Sequence, residues 1–91
     1  MGAAWVYILR CADGSLYTGW CSDLARRFSE HRAGRASKYT SSRRPVEIAF
    51  ARELADRSAA RREEARIKRL SRGEKLALIA AHRDESRTHC A

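Results

Sequence analysis

No apolar run in this chain approaches the ~18–20 consecutive residues that a helix needs to cross a bilayer, so no helical membrane span is expected. The N-terminus, Met1-Gly2-Ala3-Ala4-Trp5, lacks the basic stretch of a secretory signal, and Val6 stands where a myristoylation signal wants serine or threonine. The three cysteines, Cys11, Cys21 and Cys90, form no C-x-x-C and no paired framework. Such a set predicts reduced thiols in a cytoplasm and argues against a disulfide scaffold or a zinc site. Also missing are a Ser-His-Asp set, a glycine-rich phosphate loop and a pair of metal-spaced histidines. Acidic residues are few: 11 Asp and Glu stand against 19 Lys and Arg, a formal net charge of +8. With a pI near 10.3, that surplus favours an anionic partner, nucleic acid before an anionic membrane surface.

What is present is a globular composition, 44% hydrophobic and 33% charged over 91 residues, with no internal repeat. That length suits a single core. The expected organisation is one domain over residues 1–82 and a polar tail over 83–91.

The leading stretch reads as a hairpin. Val6-Tyr7-Ile8-Leu9 alternates as a strand, Ala12-Asp13-Gly14 supplies a turn, and Leu16-Tyr17-Thr18-Gly19-Trp20 returns. The turn decides where Tyr7 and Tyr17 point. A two-residue loop at Asp13-Gly14 pairs Arg10 with Tyr17 and sends the phenols to opposite faces. A three-residue loop, with Gly14 left-handed in a G1 bulge, sets Leu9 against Tyr17 and Tyr7 against Gly19, and both phenols share a face. Asp-Gly suits either turn.

After the hairpin, Ser22 or Asp23 can cap a helix that Gly34 ends. Leu24 and Phe28 form its apolar stripe, and Arg27 and His31, also four apart, share an adjoining face. Taken alone, that pair reads first as a solvated helix flank. Residues 35–44 read as a basic loop in which Lys38, Arg43 and Arg44 can meet phosphates while Tyr39 stacks or packs. A third strand follows Pro45, with Val46, Ile48 and Phe50 alternating against Glu47, Ala49 and Ala51.

A second helix, capped by Asp56 or Ser58, runs to about Leu70 and gathers Ala60, Glu63, Ile67 and Leu70 on one side, with Glu64 at the edge. A carboxylate there needs a partner, and an arginine is the plain choice. Ser71-Arg72-Gly73-Glu74 opens a short last helix that buries Leu76 and Ile79, and the chain frays from His82. The order predicts an α+β domain: a small three-stranded antiparallel sheet flanked by about three helices. Tyrosine, arginine, histidine and a carboxylate that holds one metal ion would together supply the groups that phosphodiester hydrolysis needs.

Val6-Tyr7-Ile8 followed by Tyr17-Thr18-Gly19 resembles the paired signature of the GIY-YIG nuclease domain. The run from Asp23 to His31 resembles that family's first helix, with Arg27 ten positions after Tyr17. The string Asp56 to Leu70 resembles the helix that carries its metal-binding glutamate, and there Glu64 rather than Glu63 matches. The likeness covers Trp5 to Ile79 and is closest to small stand-alone bacterial members. It implies both phenols on one face, hence the bulged turn. It also implies an endonuclease acting on DNA, in a setting such as repair or recombination, with Glu64 holding Mg²⁺ or Mn²⁺. By the same likeness Arg27 would neutralise phosphoryl charge, and Tyr7 or Tyr17, helped by His31, would activate water. Arg27 and the metal are expected to favour a phenolate. Val6 and Thr18 depart from the family's letters, and the chain has no asparagine for the late position that some members carry. With no room for a DNA-recognition domain, sequence-specific cleavage would need a protein partner. The alternative is a nucleic-acid-binding module that keeps the fold and hardly cleaves.

Overall fold

The hairpin turn closes on three residues. In a computed structural model of the chain, Cys11 N donates to Ser15 O at 2.9 Å and Gly14 N to Cys11 O at 2.9 Å. Gly14 has φ +85°, the left-handed conformation that a G1 bulge requires. The structure describes residues 3–90 as backbone and residues 3–83 with their side chains; Met1, Gly2, Ala91 and the side chains of residues 84–90, the thiol of Cys90 among them, lie outside it. Strands β1 (Ala4–Cys11) and β2 (Leu16–Cys21) are therefore paired with Tyr7 opposite Gly19 and Leu9 opposite Tyr17. That is the register in which both phenols share a face. Asp13 fixes the turn by accepting from Ser15 N and Ser15 Oγ.

Strand β3 (Val46–Leu54) adds antiparallel to the other side of β1, giving the order β2-β1-β3. Here the sequence pattern misleads. The pairing slips between Ile8, opposite Phe50, and Leu9, opposite Ile48, so a bulge falls at Ala49. Val46 and Ile48 consequently lie on the tyrosine face and Phe50 on the other, rather than all three on one. Ile48 remains 38% exposed while Phe50 is fully buried.

Both faces of the sheet are covered. On one, Val6, Ile8 and Phe50 pack with Ile67 of α3 (Arg57–Lys68) and Ile79 of α4 (Arg72–Cys90). On the other, Tyr7, Leu9, Cys11, Cys21 and Val46 pack with Leu24 and Phe28 of α1 (Leu24–Arg32). Covered on both faces, β1 is buried at nearly every position, which explains its continuous apolar run.

The helix ends follow from capping chemistry. Asp23 accepts from Arg26 N to start α1, and Asp56 accepts from Ala59 N at 2.8 Å to start α3. Gly34, at φ +80°, ends α1 in a Schellman motif, with Gly34 N donating to His31 O and Arg35 N to Glu30 O. Ser71 and Glu74 exchange hydrogen bonds in a capping box.

Two expectations about the last helix change. It continues to Cys90 instead of ending near His82, because no proline or glycine follows Gly73 to break it. Its buried side carries Leu78, Ile79 and His82, whereas Leu76 is 37% exposed. A helix also interrupts the basic segment: Lys38–Ser41 forms one turn, α2, with Ser37 as its cap accepting from Tyr39 N. A single turn is too short to leave a periodic signature.

Candidate active site

The site grows from the face that the bulged turn selects. Tyr7 points from β1 toward α1 and is only 3% exposed. Its ring lies over Gly19 on the neighbouring strand, so closely that a Cβ at position 19 would fall 2.6 Å from the hydroxyl. Glycine is required there for space, not for turning. The Tyr7 hydroxyl meets His31 Nε2 at 2.9 Å, and the far side of the imidazole, Nδ1, meets Thr40 Oγ1 at 2.9 Å. The Tyr17 ring also lies edge-on to His31, centroids 5.4 Å apart, and is stacked on Tyr39.

Arg27, one turn before His31 on α1, is 41% exposed along its side chain and has Glu30 Oε1 at 3.4 Å. It lines a groove with Cys21, Ser22, Asp23, Arg26 and Glu30. Burial pushes the Tyr7 phenol well above its usual range, with Tyr17 and Cys21 adding to the effect, Arg27 opposing it and Glu64 adding again. Arg27 and Glu64 are thus both within electrostatic reach of one hydroxyl. The expectation that Arg27 would favour a phenolate is corrected for the protein alone: desolvation outweighs the guanidinium.

The two neighbouring glutamates of α3 are separated by their partners. Glu63 is held by Arg66, at 2.7 Å through Nε, and by Arg52 at 3.2 Å. Its carboxyl lies below the usual carboxylate range, chiefly through the Arg66 hydrogen bond. Among the described residues, Glu64 has only Lys68 Nζ, at 3.4 Å, and opens on a groove with Ser58, Arg61, Arg62 and Ala65.

The family model described as the GIY-YIG catalytic domain matches residues 3–77. This chain belongs to the GIY-YIG family. It is 46% identical over 81 residues to a UPF0213 protein of Oceanobacillus iheyensis, covering 89% of this chain and 94% of that protein. It is 47% identical over 74 residues to a UPF0213 protein of Halobacterium salinarum, covering 81% of this chain and 96% of that one. Among solved structures it is similar to the UPF0213 protein BH0048 from Bacillus halodurans, with a TM-score of 0.58, 38% identity and coverage of 87% and 84%. The protein EF2693 from E. faecalis is similar with a TM-score of 0.61 and 35% identity, covering 89% of this chain and 86% of that one. Both solved structures support the α+β fold of a three-stranded antiparallel sheet with helices.

Within this GIY-YIG domain, Tyr7, Tyr17 and His31 are in contact with one another, whereas Arg27 and Glu64 line separate grooves and act on Tyr7 through their charges. A divalent ion fits Glu64 by its donor chemistry. No group of three or more His, Cys, Asp or Glu side chains gathers among the described residues, so an ion there would rest on one carboxylate and water. Mg²⁺ accepts such a set, whereas a structural zinc site needs several protein ligands.

The basic segment is less open than its composition suggests. Arg43 binds Asp13 Oδ2 at 3.0 Å, donates to Tyr39 O, and lies over the Tyr39 ring at 3.9 Å. Arg44 donates to the carbonyls of Ser41 and Arg32. These interactions clasp α2 against the hairpin turn. Lys38 is exposed and makes no ion pair among the described residues. Sequence reasoning missed Thr40: nothing local marks a threonine nine residues from the histidine it meets.

Burial, reinforced by Arg27 and opposed by Glu30, pushes the His31 imidazole below its ordinary value. An unfolded histidine takes up a proton near pH ~6.5, and the folded one only at lower pH. Between the two the unfolded state binds more protons, so stability falls as pH drops below about 6.5. The depressed carboxyls of Glu63, Asp13 and Glu74 contribute only nearer pH ~4, so the histidine loss comes first. Thermal melts taken stepwise from about pH 7.5 to 5 check this, and a constant melting temperature would contradict it.

Proposed function

We propose that this protein is a metal-dependent endonuclease that hydrolyses DNA phosphodiester bonds with little sequence preference of its own. The observation that carries the reading is the buried Tyr7 hydroxyl bound to His31 Nε2 within the fields of Arg27 and Glu64. As an attacking water gives its proton to the Tyr7 oxygen, Tyr7 passes its own proton to His31 Nε2. The hydroxide bonds to phosphorus as the bond to the 3′ oxygen breaks, and the departing 3′ oxygen takes up a proton from solvent water. Tyr7 need never ionise, which suits a phenol that burial keeps protonated. His31 ends as the imidazolium, and Arg27 neutralises charge on the phosphoryl oxygens. A Mg²⁺ or Mn²⁺ ion held by Glu64 would supply polarisation of the phosphate and stabilisation of the leaving oxygen.

DNA would be held by the side chains whose charge is not already used. Arg61 and Arg62 are exposed in the groove that Glu64 shares, and Lys38 on α2 is exposed with no ion pair among the described residues. Replacing Arg61 and Arg62 by alanine should weaken binding and lower the salt slope by roughly 1 for each arginine that pairs with a phosphate. Arg43→Ala should instead lower the melting temperature and leave that slope nearly unchanged, because Arg43 is committed to Asp13 and Tyr39. Binding titrations at several salt concentrations separate the two. The unpaired, buried thiols of Cys11 and Cys21 fit work in a reducing cytoplasm, and no helix among the described residues is long and apolar enough to cross a membrane.

The direct test is incubation of supercoiled and single-stranded DNA with Mg²⁺ or Mn²⁺, wild type beside Glu64→Ala. Nicking by the wild type alone supports the proposal. Salt-sensitive binding without nicking by either protein would leave the binding module as the function.

A further inference from the structure

His31 can serve the relay only in one of its two neutral tautomers. Were the hydrogen on Nε2, the ring would donate to the Tyr7 oxygen, and Tyr7 would have no acceptor for its own proton. With the hydrogen on Nδ1, Nε2 is left as the acceptor. The atoms beyond the ring decide between these. Thr40 Oγ1 is fully buried and lies 2.9 Å from His31 Nδ1 and 3.3 Å from the carbonyl oxygen of Ser37. A carbonyl oxygen has no hydrogen, so the 3.3 Å contact, beside the bond that Ser37 O already accepts from Ser41 N, is a hydrogen bond only when Thr40 gives Ser37 its single hydroxyl hydrogen. With its hydrogen on Ser37, the Thr40 oxygen has only lone pairs to offer the ring, and the geometry then puts the hydrogen on Nδ1.

We propose that Thr40, locked by the Ser37 carbonyl within the one-turn helix α2, is a positioning residue that holds His31 as its Nδ1–H tautomer and so leaves Nε2 to accept the Tyr7 proton. The hydrogen bond spans nine residues in sequence and is inaccessible to water, so no solvent molecule replaces it. α2 itself is held by its Ser37 cap and by the Arg43 clasp to Asp13, which ties the tautomer-setting hydroxyl to the hairpin turn that orients Tyr7. When His31 takes the proton, Nδ1–H stays on Thr40 and the imidazolium keeps both its donors satisfied.

This inference rests on the proposed hydrolysis for its purpose, but its test does not. Long-range ¹H–¹⁵N correlation spectra of the ¹⁵N-labelled full chain near pH ~8, where free histidine is neutral, read the tautomer directly. Wild type should show His31 with a protonated Nδ1 and an unprotonated Nε2. Thr40→Val, which keeps the shape and removes the acceptor, should shift the ring toward Nε2–H, and Thr40→Ser should restore the wild-type pattern. In cleavage assays Thr40→Val should lower kcat on the order of 10- to 100-fold with KM little changed, and Thr40→Ser should recover most of it. An Nε2–H ring in the wild type, or an unaltered tautomer in folded Thr40→Val, overturns the inference. If Thr40→Val does not fold, the wild-type and Thr40→Ser spectra still decide. A wild type that shows the Nδ1–H ring yet cleaves no DNA overturns the proposed function and leaves the tautomer assignment standing.

Discussion

Tyr7→Phe should lower DNA cleavage by about 10²- to 10⁴-fold while leaving DNA binding and the fold in place. The hydroxyl is the only atom removed, and it is the atom through which the attacking water reaches His31 Nε2. The ring keeps its packing against Leu9, Cys21 and the backbone of Gly19. His31 Nε2 is left buried without its donor, which costs about 1–3 kcal/mol of stability. Tyr17→Phe is the informative companion. The Tyr17 ring touches the His31 edge and stacks on Tyr39, and no hydrogen bond joins its hydroxyl to the imidazole among the described residues. Its loss should therefore cost less than that of Tyr7. Single-turnover cleavage of a labelled duplex by both variants, with melting curves alongside, makes the comparison, and equal losses would remove Tyr7 from its special position.

Gly19→Ala should be nearly as damaging to activity and more damaging to stability. The new methyl would sit 2.6 Å from the Tyr7 hydroxyl and 2.7 Å from Cζ. Tyr7 is 3% exposed and pinned between α1 and the sheet, so its ring cannot swing away without disturbing Leu9 and Phe28. Overpacking of this kind costs about 1–3 kcal/mol. The displaced phenol would also leave its 2.9 Å hydrogen bond with His31, so cleavage should fall toward the level of Tyr7→Phe. A Gly19→Ala/Tyr7→Phe double variant should then cleave little worse than Tyr7→Phe alone, since both lesions act on one interaction. Gly14→Ala, by contrast, strains a left-handed turn with open space around it and should weaken the hairpin without placing a new atom against Tyr7.

The sequence carried much of this and lost the rest for identifiable reasons. Helices α1 and α3 were legible because Asp23, Asp56 and Gly34 punctuate them chemically. The hairpin was legible as a hairpin, but its register was not, because Asp-Gly serves two turn geometries that differ by one residue. The phenols share a face only because Gly14 adopts the bulge. The bulge at Ala49 left no mark in the pattern, since Val46, Ile48 and Phe50 alternate as a regular strand would. Glu63 and Glu64 are adjacent and alike by composition. They differ in that two arginines reach one and a single lysine the other, and those partners come from another strand and from helix turns that the fold alone aligns. The same holds for the basic segment, whose arginines read as free until Asp13 and the backbone carbonyls are seen to hold them.

The most direct test of metal-dependent cleavage at Glu64 is the rate at which supercoiled plasmid becomes open circle as MgCl₂ is raised, for the wild type and Glu64→Gln purified in parallel. Glutamine keeps the size of the side chain and removes its charge, so the fold and the Arg61–Arg62 groove should persist. The expected result is magnesium-dependent nicking by the wild type, abolished by chelation and absent from Glu64→Gln. Equal nicking by both proteins, or wild-type nicking that survives chelation, would contradict it.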